Sequence, residues 1–235
     1  MRLLIISDAH GNPWALEAVE RAAGPVDAVL FAGDAVNYGP RPAQVLAWLQ
    51  SRAASCVRGN HDQALVWGDD PQAAPSKAWL AAELLGRSQA RLDPSQLRFL
   101  RSFPLALTWQ MPGLELEMVH ASKADPLYDY RLQPDAEATL FAERTATEAD
   151  LLVLGHTHLP LRRRSGDAWV VNPGSVGQPL DGDPRACYAT WEDGELSLRR
   201  AEYDRQPLLR ALGEWGLPGS VQDELVRLYR TARLT

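Results

Sequence analysis

Cysteine is scarce in this chain of 235 residues: Cys56 and Cys187 are the only two, far apart and outside any CxxC spacing. That argues against a disulfide framework and fits free thiols in a reducing cytosol. Long apolar runs are missing too, since none approaches the roughly 18 residues a membrane span needs. The opening apolar stretch Leu3–Ile6 is far too short for a signal-peptide core. A basic surplus is absent, with 30 acidic against 24 basic residues and a net charge of −6. A broad nucleic-acid-binding face therefore has no electrostatic footing. The one dense basic run, Arg162-Arg163-Arg164, is closed by Gly166-Asp167 and reads as a solvated strand end or hairpin. No internal repeat and no low-complexity tract is present. The expectation is a cytoplasmic protein without a membrane segment.

What is present is enough apolar residue, 46% of the chain, for one sizeable core. Leu3–Ile6 is a continuous apolar run stopped by Ser7-Asp8, the pattern of a strand buried on both faces. Asn12 is placed to cap a helix that has Pro13 at its first position. A strand over residues 28–31 stops at Gly33-Asp34, a helix follows from Pro42, and a third strand near Cys56-Val57 stops at Gly59-Asn60. Strand, polar stop and helix in repetition predict a layered α/β domain. Residues 63–103 read as a helical insertion covering one side of the core, with Trp67 and Trp79 as packing residues. Strands return from Leu105, and Met111-Pro112-Gly113 and Asp193-Gly194 are hairpin signals. Residues 205–231 close the chain as helices broken near Gly216–Gly219, and their amphipathic pattern leaves a dimer open. The whole, residues 1–235, is expected to be a single domain.

All five histidines sit where an apolar strand stops: His10, His61, His120, His156 and His158. Asp8, Asp34 and Asn60 stand beside them at the same stops. In open α/β sheets the carboxyl ends of strands converge on one crevice, so these groups should meet. A single histidine at a strand end is ordinarily structural; five of five with carboxylate neighbours point to a divalent transition metal. Gly33, Gly59 and Gly155 are expected to let the backbone turn sharply there.

Asp8-x-His10, Gly33-Asp34, Gly59-Asn60-His61-Asp62, His120 and Gly155-His156-x-His158 together resemble the motif series of the calcineurin-like metallophosphoesterases, in order. Tyr38-Gly39-Pro40 and the run from Asn172 to Pro179 resemble a bacterial phosphodiesterase and phosphatase branch. The fold implied is a four-layer β-sandwich of two mixed sheets flanked by helices (α/β, α+β), with a small helical lid. The resemblance implies two divalent metal ions, with Mn the first choice and Fe, Ni, Co or Zn as alternatives. Asp8, His10 and His158 would hold one ion, and Asn60, His120 and His156 the other. Asp34 would bridge them opposite a bridging hydroxide that attacks phosphorus. His61 would protonate the leaving alkoxide.

The chain departs from the serine/threonine phosphatases of that superfamily. Their Gly-Asp-x-Val-Asp-Arg-Gly becomes Gly33-Asp34-Ala35-Val36-Asn37-Tyr38-Gly39. The carboxylate behind the catalytic histidine is replaced by Asn37, which is expected to accept a hydrogen bond from His61. The phosphate-gripping arginine is replaced by Tyr38, removing a bidentate clamp. Arg58 is the nearest remaining basic residue, a phosphate contact or a structural salt bridge; Asn60, as a ligand, also borders the substrate. Asp62 orients a ligand or loop, or caps a helix. Asn172–Ser175 lies near the substrate or forms a tight turn, with the turn preferred. Trp67, Trp79 and Tyr38 are weaker candidates for stacking on a base or aryl group. The expected activity is hydrolysis of small phosphodiesters, with phosphomonoesters as a second substrate. The alternatives are a dinucleoside polyphosphate hydrolase, a serine/threonine-type phosphatase, or a non-catalytic scaffold.

Overall fold

The computed structural model describes residues 1–111, 113–130, 142–143, 147–166 and 168–233. Pro112 and Asp167, which the hairpin readings used, lie outside the described residues.

The opening apolar run forms β1 (Arg2–Ile6), and its alternation explains why it is apolar throughout. Leu4 and Ile6 face the helices α1 (Pro13–Ala23) and α2 (Pro42–Ser51), while Leu3 and Ile5 face the second sheet. Buried on both faces, the strand has no position for a polar side chain. The first sheet has the order β10-β9-β1-β2-β3, with β2 Ala28–Phe31, β3 Ser55–Cys56, β9 Ala186–Glu192 and β10 Glu195–Ala201. The second has the order β4-β5-β6-β8-β7, with β4 Ala106–Met111, β5 Leu114–Val119, β6 Leu151–Val153, β7 Leu161–Ser165 and β8 Ala168–Asn172. Leu30, Val57, Leu116, Met118, Leu151, Val153 and Val171 join Leu3 and Ile5 between the sheets. Two mixed five-stranded sheets flanked, among the described residues, by seven helices make the expected sandwich.

Each sheet contains a parallel trio: β1, β2 and β3 in one, β5, β6 and β8 in the other. Parallel strands end on the same side, so six carboxyl ends deliver their following loops to one edge of the sandwich.

The helical segment begins earlier than expected. Helix α3 (Asn60–Trp67) starts inside the Gly-Asn-His-Asp motif, because Gly59 and Asp62 together satisfy its first turn. It is followed by α4 (Ala78–Gln89) and α5 (Pro94–Arg101), and Asp93 caps the latter. Trp67 and Trp79 are 42% and 50% exposed, which corrects their reading as packing residues. The faces that pack carry Ala64, Leu65, Leu80, Ala81 and Leu84 instead. Arg162–Arg164 lie exposed in β7, which pairs antiparallel with β8 through Ser165 and Ala168, so of the two readings of the basic run the hairpin holds. The terminal helices α6 (Gln206–Gly213) and α7 (Gly219–Thr231) bury Leu208, Leu212, Val221 and Leu225 against Tyr38, Leu80 and Leu84. Their amphipathic pattern is thus accounted for within the chain.

Ile5 touches both sheets' core and has no exposed surface. Ile5→Ala is expected to cost about 2–5 kcal/mol, read as a lower urea midpoint at unchanged slope.

Candidate metal centre

The loops after the six parallel strands carry the chemistry. Asp8 and His10 follow β1, Asp34 follows β2, Asn60 and His61 follow β3, His120 follows β5, His156 and His158 follow β6, and Ser175 follows β8. All of these are buried. The backbone is left-handed at Asp8, His10, Asp34, Asn37, Tyr38, His156 and His158, with φ between 43° and 70°. Such conformations are unfavourable for side-chain-bearing residues, and they concentrate here. Of the three glycines expected to turn the chain, only Gly33 has a positive φ. Gly59 and Gly155 serve by lacking a side chain: a Cβ would lie 2.1 Å from Asp34 Oδ1 at one and 2.1 Å from Ser7 Oγ at the other.

The ring tautomers follow from the second nitrogen of each histidine. His10 Nδ1 meets the carbonyl of Val36 at 2.9 Å, His120 Nδ1 that of Ala32 at 2.6 Å, and His158 Nδ1 that of Gln178 at 2.6 Å. A carbonyl only accepts, so each Nδ1 carries a proton, and in the neutral rings of His10 and His158 each Nε2 presents a lone pair inward. Yet His10 Nε2 and His158 Nε2 lie 3.1 Å apart, acceptor against acceptor. Asn60 joins the second group of histidines. Its amide nitrogen donates to Pro71, which leaves Oδ1 facing His120 Nε2 at 3.0 Å and His156 Nδ1 at 3.1 Å. The lone pairs of His10 and His158, with no proton between them, fit a shared cation.

Asp8, His10, Asp34 and His158 offer ligand atoms all within 4.8 Å of one another. Asp34 stands between the two groups, its Oδ2 3.7 Å from His10 Nε2 and 3.4 Å from His120 Nε2. Asp8 Oδ1 and His156 Nε2 are buried without a hydrogen-bond partner among the described residues. On donor chemistry and on these orphaned atoms, a divalent transition metal fits the site.

Electrostatics agree. Burial pushes the Asp8 carboxyl up to about 7 and draws His10 down to about 3. His156 and His158 are held well below the usual imidazole range by the same burial. Burial opposes protonation of His120 as well, but the Asp34 carboxylate beside it carries that ring up to about 9. Burial would raise Asp34, yet His120 and His61 hold it well below the usual carboxylate range.

The surrounding groups are organised by two loops. Asp62 accepts from the backbone amides of Asp34, Ala35, Val36 and Gly59, so its cap and loop-ordering readings are both met by one carboxylate. Asn172 closes a tight turn by accepting from Gly174 N, and it donates to Gly155 O and Thr157 Oγ1. Ser175 Oγ donates to Asp8 O and accepts from Gln178 N, tying this run to the histidine loop. Asn37 corrects its expectation. Its Oδ1 accepts from Tyr38 N and its Nδ2 donates to Ala81 O, so the same Nδ2 donates to His61 Nδ1 at 2.9 Å. His61 is the acceptor there, and its proton lies on Nε2. Arg58 spends its guanidinium on Phe103 O and Gln63 Oε1 and stacks on Trp67, 3.9 Å from the ring centroid. Tyr38 is fully buried, wedged edge-on to His10 and His61 with centroids 4.9 Å from each, which leaves no face for a base to stack on.

Two residues were not anticipated. Tyr130 lies against His156 with ring centroids 3.9 Å apart. Lys77 is buried, 5.3 Å from the Tyr38 ring centroid, and burial lowers its ammonium to about 8 against the pull of Asp8 and Asp34. It is one of only two lysines in the chain, the other being Lys123, and that scarcity was the available signal.

Residues 1–194 match the family profile described as the calcineurin-like phosphoesterase superfamily domain. Protein MJ0912 of Methanocaldococcus jannaschii is 28% identical over 222 residues, covering 86% of this chain and 88% of its own. Phosphodiesterase YfcE of Escherichia coli is 26% identical over 200 residues, covering 84% and 91%. A metallophosphoesterase from Sphaerobacter thermophilus superposes with a TM-score of 0.80 at 32% identity, covering 96% of this chain and 99% of that one.

Binding a cation requires Asp8 and His120 without their protons, so ions should displace them where they are held at about 7 and about 9. Apparent affinity for Mn²⁺ is expected to rise with pH across that window. Calorimetry in buffers of different ionisation enthalpy should show net proton release. Asp62→Ala is expected to weaken Mn²⁺ binding about 10–100-fold, by freeing the loop that carries Asp34.

Proposed function

This chain belongs to the calcineurin-like phosphoesterase superfamily, and from that premise we propose that it hydrolyses phosphodiester bonds, and phosphomonoesters in second place, with two metal ions. The observation that carries the reading is the acceptor-against-acceptor contact of His10 with His158 on one side of Asp34, with Asn60, His120 and His156 gathered on the other. Asp8, His10 and His158 would hold one ion, Asn60, His120 and His156 the other, and Asp34 would be common to both. Manganese is the first choice, with Fe, Ni, Co or Zn accepted by the same donor types. When bound, such a pair lowers the pKa of a water and neutralises the charge that grows on phosphate.

His61 is the group that acts on the leaving oxygen. Its backbone amide donates to Asp34 Oδ1 at 2.9 Å, fixing the ring's base beside the ligand set. Its Nδ1 is occupied by the Asn37 amide, so Nε2–H is the one donor the ring can offer. Burial draws His61 down to about 4, and a neutral ring donating a hydrogen bond is what this environment supports near neutral pH. Donated to the departing oxygen, that hydrogen bond stabilises the negative charge growing there. The family relative named phosphodiesterase YfcE supports the diester preference. So does the loss of the arginine clamp at Tyr38, which matters less for a monoanion than for a dianion. Two buried free thiols support a cytoplasmic setting.

Metal-stripped protein titrated with Mn²⁺ should regain activity on a bis-aryl phosphodiester as about two equivalents bind. His61→Ala is expected to lower kcat by about 10²–10⁴-fold while binding the same ions. Saturation at one equivalent would overturn the dinuclear assignment. Full ion binding with no turnover of diester, monoester or dinucleoside polyphosphate would favour the scaffold reading. Asn37→Asp offers the ring an acceptor in place of a donor, which moves the proton to Nδ1 and favours the imidazolium. Only the imidazolium then keeps Nε2–H, so activity should fall on the alkaline side as the ring deprotonates; an unchanged alkaline limb would mean that Asn37 does not set the state of His61.

A further inference from the structure

The site lacks the arginine that would grip a phosphate, but it does not lack a cation. Lys77 comes from the segment between α3 and α4, and that segment is pinned to the centre at three points. Pro71 O accepts the Asn60 amide, the backbone of Ala74 hydrogen-bonds Tyr130 (the residue stacked on His156), and Lys77 N donates to Ala74 O. The lysine side chain is 95% buried, yet among the described residues its ammonium makes no hydrogen bond and no ion pair. Its one ring contact is Tyr38, which touches both His10 and His61. Its charge acts on Asp8 and Asp34 and on His10, His61, His156 and His158.

A lysine this buried has lost most of its hydration, so its unpaired ammonium favours an anionic partner. Asp8 and Asp34 are the carboxylates whose charge acts on it, but among the described residues neither pairs with it, and both would be committed elsewhere once cations occupy the centre. What remains for Lys77 is the ligand. We propose that Lys77 is a substrate-binding residue that pairs with a non-bridging phosphate oxygen, taking the place of the missing arginine clamp and extending the site to phosphomonoester dianions. The inference rests on the phosphoesterase reading above and narrows its substrate class. Coulomb attraction scales with ligand charge, so the lysine contributes more to a dianion than to a diester monoanion. A lysine acts here as a point charge, without the fixed fork of an arginine.

The test compares wild type, Lys77→Met and Lys77→Arg, all loaded with Mn²⁺ at neutral pH. Inorganic phosphate binding is measured by calorimetry, and kcat/KM is measured for an aryl phosphomonoester and a bis-aryl diester. Lys77→Met is expected to weaken phosphate about 10–100-fold, the range of a lost charged hydrogen bond. It should lower kcat/KM for the monoester about tenfold more than for the diester, because the dianion loses more Coulomb energy. Lys77→Arg should restore most of both, bound metal should stay as in wild type, and the thermal midpoint of Lys77→Met should be no lower than that of wild type. Unchanged phosphate affinity in Lys77→Met overturns the proposal, as does an equal loss for the two esters accompanied by loss of ions. Wild type that binds no phosphate overturns it as well. Weaker phosphate binding in Lys77→Met, in a protein that turns over neither ester, keeps the clamp and removes the phosphoesterase reading instead.

Discussion

The constraint on which the site depends is the meeting of lone pairs. His10 and His158 point unprotonated nitrogens at each other. Left to itself, such a contact is repulsive in a buried environment, where unpaired polar atoms are costly. It persists because each ring is fixed from behind by a backbone carbonyl; His120 is held in the same way, and Asn60 by Pro71. Those carbonyls belong to Val36 and Ala32 in the loop after β2 and to Gln178 in the loop after β8. The ligand set is therefore held by the framework of both sheets, and not by contacts among the ligands.

The same logic accounts for the strained backbone. A strand end that turns a short side chain back toward the sheet edge must leave the extended conformation at once. Asp8, His10, Asp34, His156 and His158 do so through the left-handed region. Asp62 offsets part of that cost, since one carboxylate receives four consecutive or neighbouring amides of the Asp34 and Gly59 loops. Burial pushes Asp62 up to about 7 while the amides of Gly59 and Asp34 pull the other way. Each of these donors needs an oxygen lone pair, which favours the ionised form.

Differences from the protein-phosphatase pattern also become physical at this level. Exchanging a carboxylate for Asn37 does not simply weaken a hydrogen bond to His61; it reverses the bond's direction and moves the ring proton to the far nitrogen. Exchanging the arginine for Tyr38 fills the space with a fully buried ring that joins His10, His61 and the helices of the C-terminal region. The cation then arrives from a different part of the chain, on the segment before α4.

Much of this was legible in the residues themselves. A strand buried on both faces has to be apolar throughout, so a polar stop marks its carboxyl end unambiguously, and the Asp, Asn and His groups at those stops were readable with their spacing. The parallel trios then follow from strand–helix alternation. Other features were decided only in three dimensions. Which way Asn37 donates depends on Tyr38 N and Ala81 O, and where Arg58 goes depends on Phe103 O and Trp67. That Lys77 reaches the centre depends on a loop pinned by Asn60 and Tyr130. The reason is common to all three: spacing along a chain determines which residues share a face, whereas hydrogen-bond direction and charge placement are set by partners distant in sequence.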